Sequence, residues 1–134
     1  MPDDQTVRFE LNGMLFEYDK EKNRINLRKH GISFHTAAHV FFDYDRIEMY
    51  DEENSTEEDR YNVIGNVFSG SFPNASSVIG STLLHGQPIN DILFVVYTER
   101  EMRLKDGQLF EITRLISARL ATSFERGLYY GKYT

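Results

Sequence analysis

The chain predicts an α+β domain, with an antiparallel sheet of three to five strands packed against two N-terminal helices and a C-terminal helix. Three observations predict it. Helix caps at Asp19, Gly31 and Ser33, with helix-like apolar spacing from Phe34 to Phe41, mark the segment from residue 19 to residue 41. Alternating or continuously apolar runs then follow from residue 46 to residue 117. A capping box, Thr122 with Glu125, opens a last helix. No internal repeat interrupts this order, and residues 1–134 read as a single domain.

Each element has a local cause. Val7 to Glu17 is β-rich with a turn at Gly13, so residues 1–15 form either a hairpin or an extended arm before a strand at Leu15–Tyr18. Asp19 fits a helix N-cap, because its carboxylate accepts the orphan amides of a first turn. The helix runs from Lys20 to about Lys29 and stops at Gly31, the residue best suited to a left-handed cap. Ser33 caps a second helix, in which Phe34, Ala37, Ala38 and Phe41 make one apolar stripe. Arg46–Tyr50 and Tyr61–Phe68 read as strands around an acidic loop. Residues 69–90 are rich in Ser, Gly, Asn and Pro and read as an unusually long loop. Ile92–Thr98 has the unbroken apolar character of a central strand. Leu109–Ser117 is a further strand after a Lys105-Asp106-Gly107 turn.

Composition narrows the function. Without cysteine there is neither disulfide nor thiolate metal site. No apolar run approaches the roughly 20 residues of a membrane helix. The acidic start lacks a signal-peptide pattern, so a cytoplasmic protein is expected. The net charge of −6 opposes nucleic-acid binding overall. The charge is uneven, however. Lys20, Lys22, Arg24, Arg28 and Lys29 crowd one helix, six bases lie between Arg100 and Arg126, and six acids fill residues 51–59 without a base. Two segments can therefore build a local basic face.

Several motifs then fall in one order. Phe16-Glu17-Tyr18-Asp19 is followed by Lys22, Asn26 and the block Lys29-His30-Gly31-Ile32-Ser33-Phe34. Arg60-Tyr61 with Ile64-Gly65, Val95-Val96-Tyr97-Thr98-Glu99-Arg100, and Ile116-Ser117-Ala118-Arg119 with Ala121, Thr122 and Glu125 complete the series. The series resembles the BrnT family of ribonuclease toxins, the toxic half of type II toxin–antitoxin pairs. Three departures stand out: Tyr18 for a usual Trp, His35-Thr36 for a usual acidic pair, and the long 69–90 segment. The resemblance implies a RelE-like fold, RNA cleavage without metal or cofactor, and neutralisation by a ribbon-helix-helix antitoxin that carries the only link to DNA. A homodimer is compatible with it. The alternative is a diverged, non-catalytic member that binds a protein or RNA without cutting.

Metal-free cleavage uses a base for the 2′-hydroxyl, cations for the phosphorus-bound charge, and an acid for the leaving oxygen. His30 titrates near neutrality, and the helix C-terminus favours its protonated form, which makes it an acid; a His before a capping Gly equally serves to bond the last carbonyls. Lys29 is a phosphate clamp or a solvated helix-end charge. Arg119, at a strand end before a helix, offers a forked donor for phosphate, against a structural ion pair. Glu99 is a candidate base, although a strand-end Glu is commonly just solvated. With these four as catalytic candidates, Lys22, Arg60, Arg100, Arg114 and Tyr97 are the RNA-binding candidates. Tyr18 and Tyr61 share with Tyr97 the capacity to stack on bases, though strand aromatics more often pack. His35 and His39 have the i, i+4 spacing of a helical metal pair, but no third ligand is indicated, so no metal is assigned.

Overall fold

The computed structural model describes residues 5–68, 83–84, 87–88 and 90–131. Its strands are β1 (Thr6–Leu11), β2 (Met14–Asp19), β3 (Ile47–Tyr50), β4 (Tyr61–Phe68), β5 (Leu83–Leu84), β6 (Gln87–Pro88), β7 (Asn90–Arg103) and β8 (Leu109–Leu120). Its helices are α1 (Lys20–His30), α2 (Phe34–Ala37) and α3 (Ser123–Tyr129), with a 3₁₀ turn at Ala38–Phe42. The fold is α+β, as expected. The main sheet has six strands rather than three to five, in the order β1-β2-β8-β7-β4-β3, and β5 pairs only with β6. The sheet is mixed: β2 runs parallel to β8, while all its other neighbours are antiparallel. Most of the 69–90 loop lies outside the described residues.

Local rules account for most boundaries. Residues 6–19 form the hairpin, closed by Asn12 and Gly13, both with positive φ. That is the backbone of a two-residue type I′ turn, which matches strand twist. Asp19 caps α1 by accepting from the Lys22 amide, and Gly31 ends the helix at φ +73°. Ser33 caps α2 and Thr122 caps α3, the latter with the reciprocal Glu125 bond. The second helix departs from expectation. Its apolar stripe begins as α-helix but tightens into the 3₁₀ turn after Ala37, where β-branched and aromatic residues disfavour continued α-helix. Phe34, Ala37, Ala38 and Phe41 are buried nonetheless. Strands β7 and β8 also extend beyond Ile92–Thr98 and Leu109–Ser117.

The core lies between one face of the sheet and the α1–α2–3₁₀ segment. Phe16, Tyr18, Val63, Val67, Leu93, Val95, Leu115 and Ala118 meet Ile32, Phe34, Ala37, Val40 and Phe41 there. The 3₁₀ turn passes so close to β4 that a Cβ on Gly65 would stand 2.9 Å from the Val40 Cβ. Helix α3 packs on β4, and the Tyr129 hydroxyl donates to Asp43 Oδ2 at 2.6 Å. Among the described residues no helix is long and apolar enough to cross a membrane.

Strand β2 pairs with β8 only through Leu115. Beyond that point Asn26 of α1 takes the place of a strand. Its Nδ2 donates to the Ala118 carbonyl (2.8 Å) and its Oδ1 accepts from the Ala118 amide (3.1 Å). The same Nδ2 also donates to the Ile32 carbonyl at 2.9 Å. Asn26→Ala leaves these three backbone groups without their partner. A buried unsatisfied group costs about 1–3 kcal/mol, so the expected loss is about 3 kcal/mol or more, read as a lower urea midpoint at unchanged slope. Gly65→Ala is expected to cost about 1–3 kcal/mol by overpacking against Val40, measured in the same titration.

Candidate RNA interface

Residues that pair directly across strands share a face of the sheet. Ala118 and Leu115 of β8 lie opposite Val95 and Tyr97 and face the core. Arg119 lies opposite Phe94 and Arg114 opposite Thr98, on the outer face. Arg114 and Arg119 are five apart, and strict alternation would send them to opposite faces. They share one because the register shifts between Val96 and Tyr97: Val96 pairs with Ser117 and Tyr97 with Leu115, leaving Ile116 as an extra residue on β8. This bulge re-aims the end of the strand.

Two cationic groups result. The first joins the end of α1 to the end of β8. Lys29 is exposed, His30 is half-buried, and Asn26 anchors this helix to Ala118, the residue before Arg119. Partial burial lowers the His30 pKa, and the charges of Lys29 and Arg119 lower it further. The expectation of a protonated His30 is therefore corrected: burial first, and then the two neighbouring cations, favour the neutral imidazole. Arg119 is not free. Its Nη1 and Nη2 donate to the Glu125 carboxylate at 2.8 and 3.0 Å, and its guanidinium lies 4.3 Å from the Phe94 ring centroid. Glu125 is thus both the cap of α3 and the partner of Arg119.

The second group surrounds Glu17, which sequence reasoning did not single out. Its side chain is only 3% exposed. Arg114 donates to it at 2.7 Å and Arg8 at 2.9 Å, with Arg100 at 3.7 Å. Arg100 also reaches Glu58 at 3.3 Å, as does Arg60 at 3.7 Å. Burial pushes the Glu17 carboxyl up, but the hydrogen bonds and charges of Arg114 and Arg8 prevail and hold it below the usual carboxylate value. Arg60, Arg100 and Arg114, three of the expected RNA-binding residues, therefore come together here. Glu17 stood in the sequence only as one residue of the Phe16-Glu17-Tyr18-Asp19 motif, and nothing announced that it and Arg8 would meet Arg114 across a parallel pairing.

Other candidates fall elsewhere. Glu99 pairs with Thr113, which is opposite the core residue Phe16, so Glu99 belongs to the helix-side face. It is also five residues along β7 from Phe94, about 16 Å. Glu99 and Arg119 therefore share no pocket, because the strand carries them to different faces and ends. Tyr97 is 2% exposed, packed on Phe41 and Tyr61, with its hydroxyl donating to Glu48 at 2.7 Å. Its expected stacking on bases is corrected on that ground: its ring is part of the core. Tyr18 is likewise buried, and its hydroxyl is 3.0 Å from His35 Nε2. Lys22 is exposed on the first turn of α1, toward the other end of the helix from Lys29. His35 stacks on Phe9, and His39 is buried with its pKa lowered to about 4, by burial first and then by His35. Among the described residues the pair gains no third metal-ligating side chain.

The family comparison bears on the helical half of this interface. Residues 18–73 match the model of a family described as ribonuclease toxin, BrnT, of type II toxin–antitoxin systems. Over residues 18–73 the chain is similar to that family. No curated protein matches it. The BrnT match includes Lys22, Lys29, His30 and Arg60 and stops well short of β7 and β8. Arg100, Arg114 and Arg119 lie outside it, and so do Arg8 and Glu17. The cationic strand face therefore stands on its own geometry.

Acid sensitivity follows from two of these groups. His39 is neutral in the fold down to about pH 4 but takes a proton near pH 6.5 when unfolded. Stability is expected to fall as pH drops from 6.5 toward 4, because the unfolded chain then binds the extra proton. The Glu17 contribution is present above its unfolded value near 4.5 and is lost as pH falls through the lower folded value. Thermal midpoints across pH check both: His39→Gln flattens the upper stage and Glu17→Gln the lower one.

Proposed function

We propose that this protein is a metal-independent endoribonuclease, the toxin of a type II pair, held in check by a ribbon-helix-helix antitoxin in the cytoplasm. The observation that carries the reading is the placing of two cations, Lys29 from α1 and Arg119 from β8, within electrostatic reach of His30. The neutral imidazole takes the 2′-hydroxyl proton, and the freed oxygen attacks phosphorus. Arg119 and Lys29 offset the charge that gathers on the phosphoryl oxygens. The bond to the 5′ oxygen breaks, leaving a 2′,3′-cyclic phosphate, and the departing oxygen takes a proton from Lys29 or water.

The BrnT match supports the toxin class, an RNA target and an antitoxin partner. A specific observation favours the second reading, binding without cleavage: Glu125 holds both terminal nitrogens of Arg119. The two readings separate in one assay. Purified protein in EDTA is expected to cut single-stranded RNA, with kcat down about 10²–10⁴-fold in His30→Ala, the usual contribution of a general base. The rate is expected to rise with pH through a value below 6.5 and then level, because only neutral His30 accepts the proton. RNA bound but left intact at every pH establishes the second reading instead.

A further inference from the structure

We propose that Arg8, Arg100 and Arg114 form a phosphate-binding subsite on the outer face of the sheet, with Glu17 as the carboxylate that positions them. The inference rests on the RNA-directed reading above and specifies where the strand is gripped away from the cleavage group.

The first argument is charge balance. One carboxylate with two hydrogen-bonded guanidinium groups is already compensated, since Arg114 and Arg8 donate at 2.7 and 2.9 Å. Arg100 is a third cation around the same buried oxygens, at 3.7 Å. Arg60 and Arg100 border Glu53, Glu57 and Glu58 of the acidic loop, so the positive excess lies around Glu17 itself, where Arg114 and Arg8 meet one carboxylate. In a chain of net charge −6 such an excess is a local exception.

The second argument is donor supply. A guanidinium has five N–H groups in a fixed fork, and each of these three spends few of them on carboxylates. Arg8 and Arg100 are about half exposed, at 55% and 48%, whereas Glu17 is not. The acceptor is therefore buried beneath donors that face solvent, an arrangement suited to an anion approaching from outside.

The third argument is alignment. The Ile116 bulge puts Arg114 on the same face as Arg119. Their partners Thr98 and Phe94 are four residues apart, about 13 Å along the sheet. Between them on this face lie Ser117 and Val96, without an acid on either strand. A backbone gripped at the cluster would run along this face toward Arg119.

The test uses a short, mixed-sequence 2′-O-methyl RNA, which binds but lacks the attacking hydroxyl. Its affinity for the full chain is followed by fluorescence anisotropy against salt. Arg8→Gln and Arg100→Gln are each expected to weaken binding several-fold and to reduce the salt slope by about 0.7, one single-strand phosphate contact. Arg100→Lys keeps the charge and restores the slope. Glu17→Gln is expected to lower kcat on cleavable RNA without raising KM, because charge is gained while the arginines lose their anchor. Unfolding midpoints confirm that each variant is folded. Wild-type affinity and slope in both Arg→Gln variants overturn the subsite, as does a Glu17→Gln protein that loses stability alone. Slope losses in a protein that never cuts RNA uphold the subsite and sink the cleavage reading, so the two fail separately.

Discussion

Past Leu115, β8 has β7 on one side and no strand on the other. The Asn26 carboxamide meets that exposed edge as a peptide group would, giving and receiving one hydrogen bond with Ala118. Most of what is distinctive here depends on that contact. It fixes the end of α1 beside the end of β8, and so brings His30 to Arg119. It also ties the helix to the following segment, since the same amide nitrogen bonds the Ile32 carbonyl while Asn23 accepts from the Phe34 amide. A buried carboxamide is a costly group to leave unpaired, and with all its partners in place it is correspondingly specific about position. No apolar side chain would set the rotation of α1 about its axis as sharply.

Charge is arranged around this frame in an uneven way. The acidic loop at residues 51–59 supplies Glu58 to the guanidinium cluster and Asp59 to the Tyr50 hydroxyl, so part of the net negative charge is held against the sheet. The arginines are consequently oriented before any ligand arrives, which lowers the ordering cost of binding. Arg119 is a different case. Its guanidinium serves the cap of α3 and the Phe94 ring at once, and any phosphate it meets must compete with, or be shared with, the Glu125 carboxylate.

Much of the fold was legible in the sequence because its boundaries are local. Asp19, Gly31, Ser33 and the Thr122–Glu125 pair each act within a few residues, and all behave as their chemistry dictates. Gly13 marked a turn but left hairpin and extended arm both open, and the positive φ of Asn12 and Gly13 closes the hairpin. What was not legible is non-local. The parallel pairing of β2 with β8 joins segments almost a hundred residues apart, and no pattern in either strand announces it. Glu17 therefore entered only as one residue of a motif, although it is the centre of the arginine cluster. Glu99 was grouped with Arg119 by chemistry alone, and strand geometry separated them. Tyr97 offered an aromatic ring whose burial depends on Phe41, another distant residue.

The bulge at Ile116 makes the outer face of β8 depend on a count. In an unbroken strand, side chains of odd separation never look the same way, so parity alone would hide either Arg114 or Arg119. One supernumerary residue reverses that parity for everything downstream. Chain length between Leu115 and Ser117 thus acts as a geometric switch written into the polypeptide. Removing a single residue there would turn Arg119 inward and Ala118 outward while altering no functional group, and a lineage that lost it would have to rebuild its basic face from other positions.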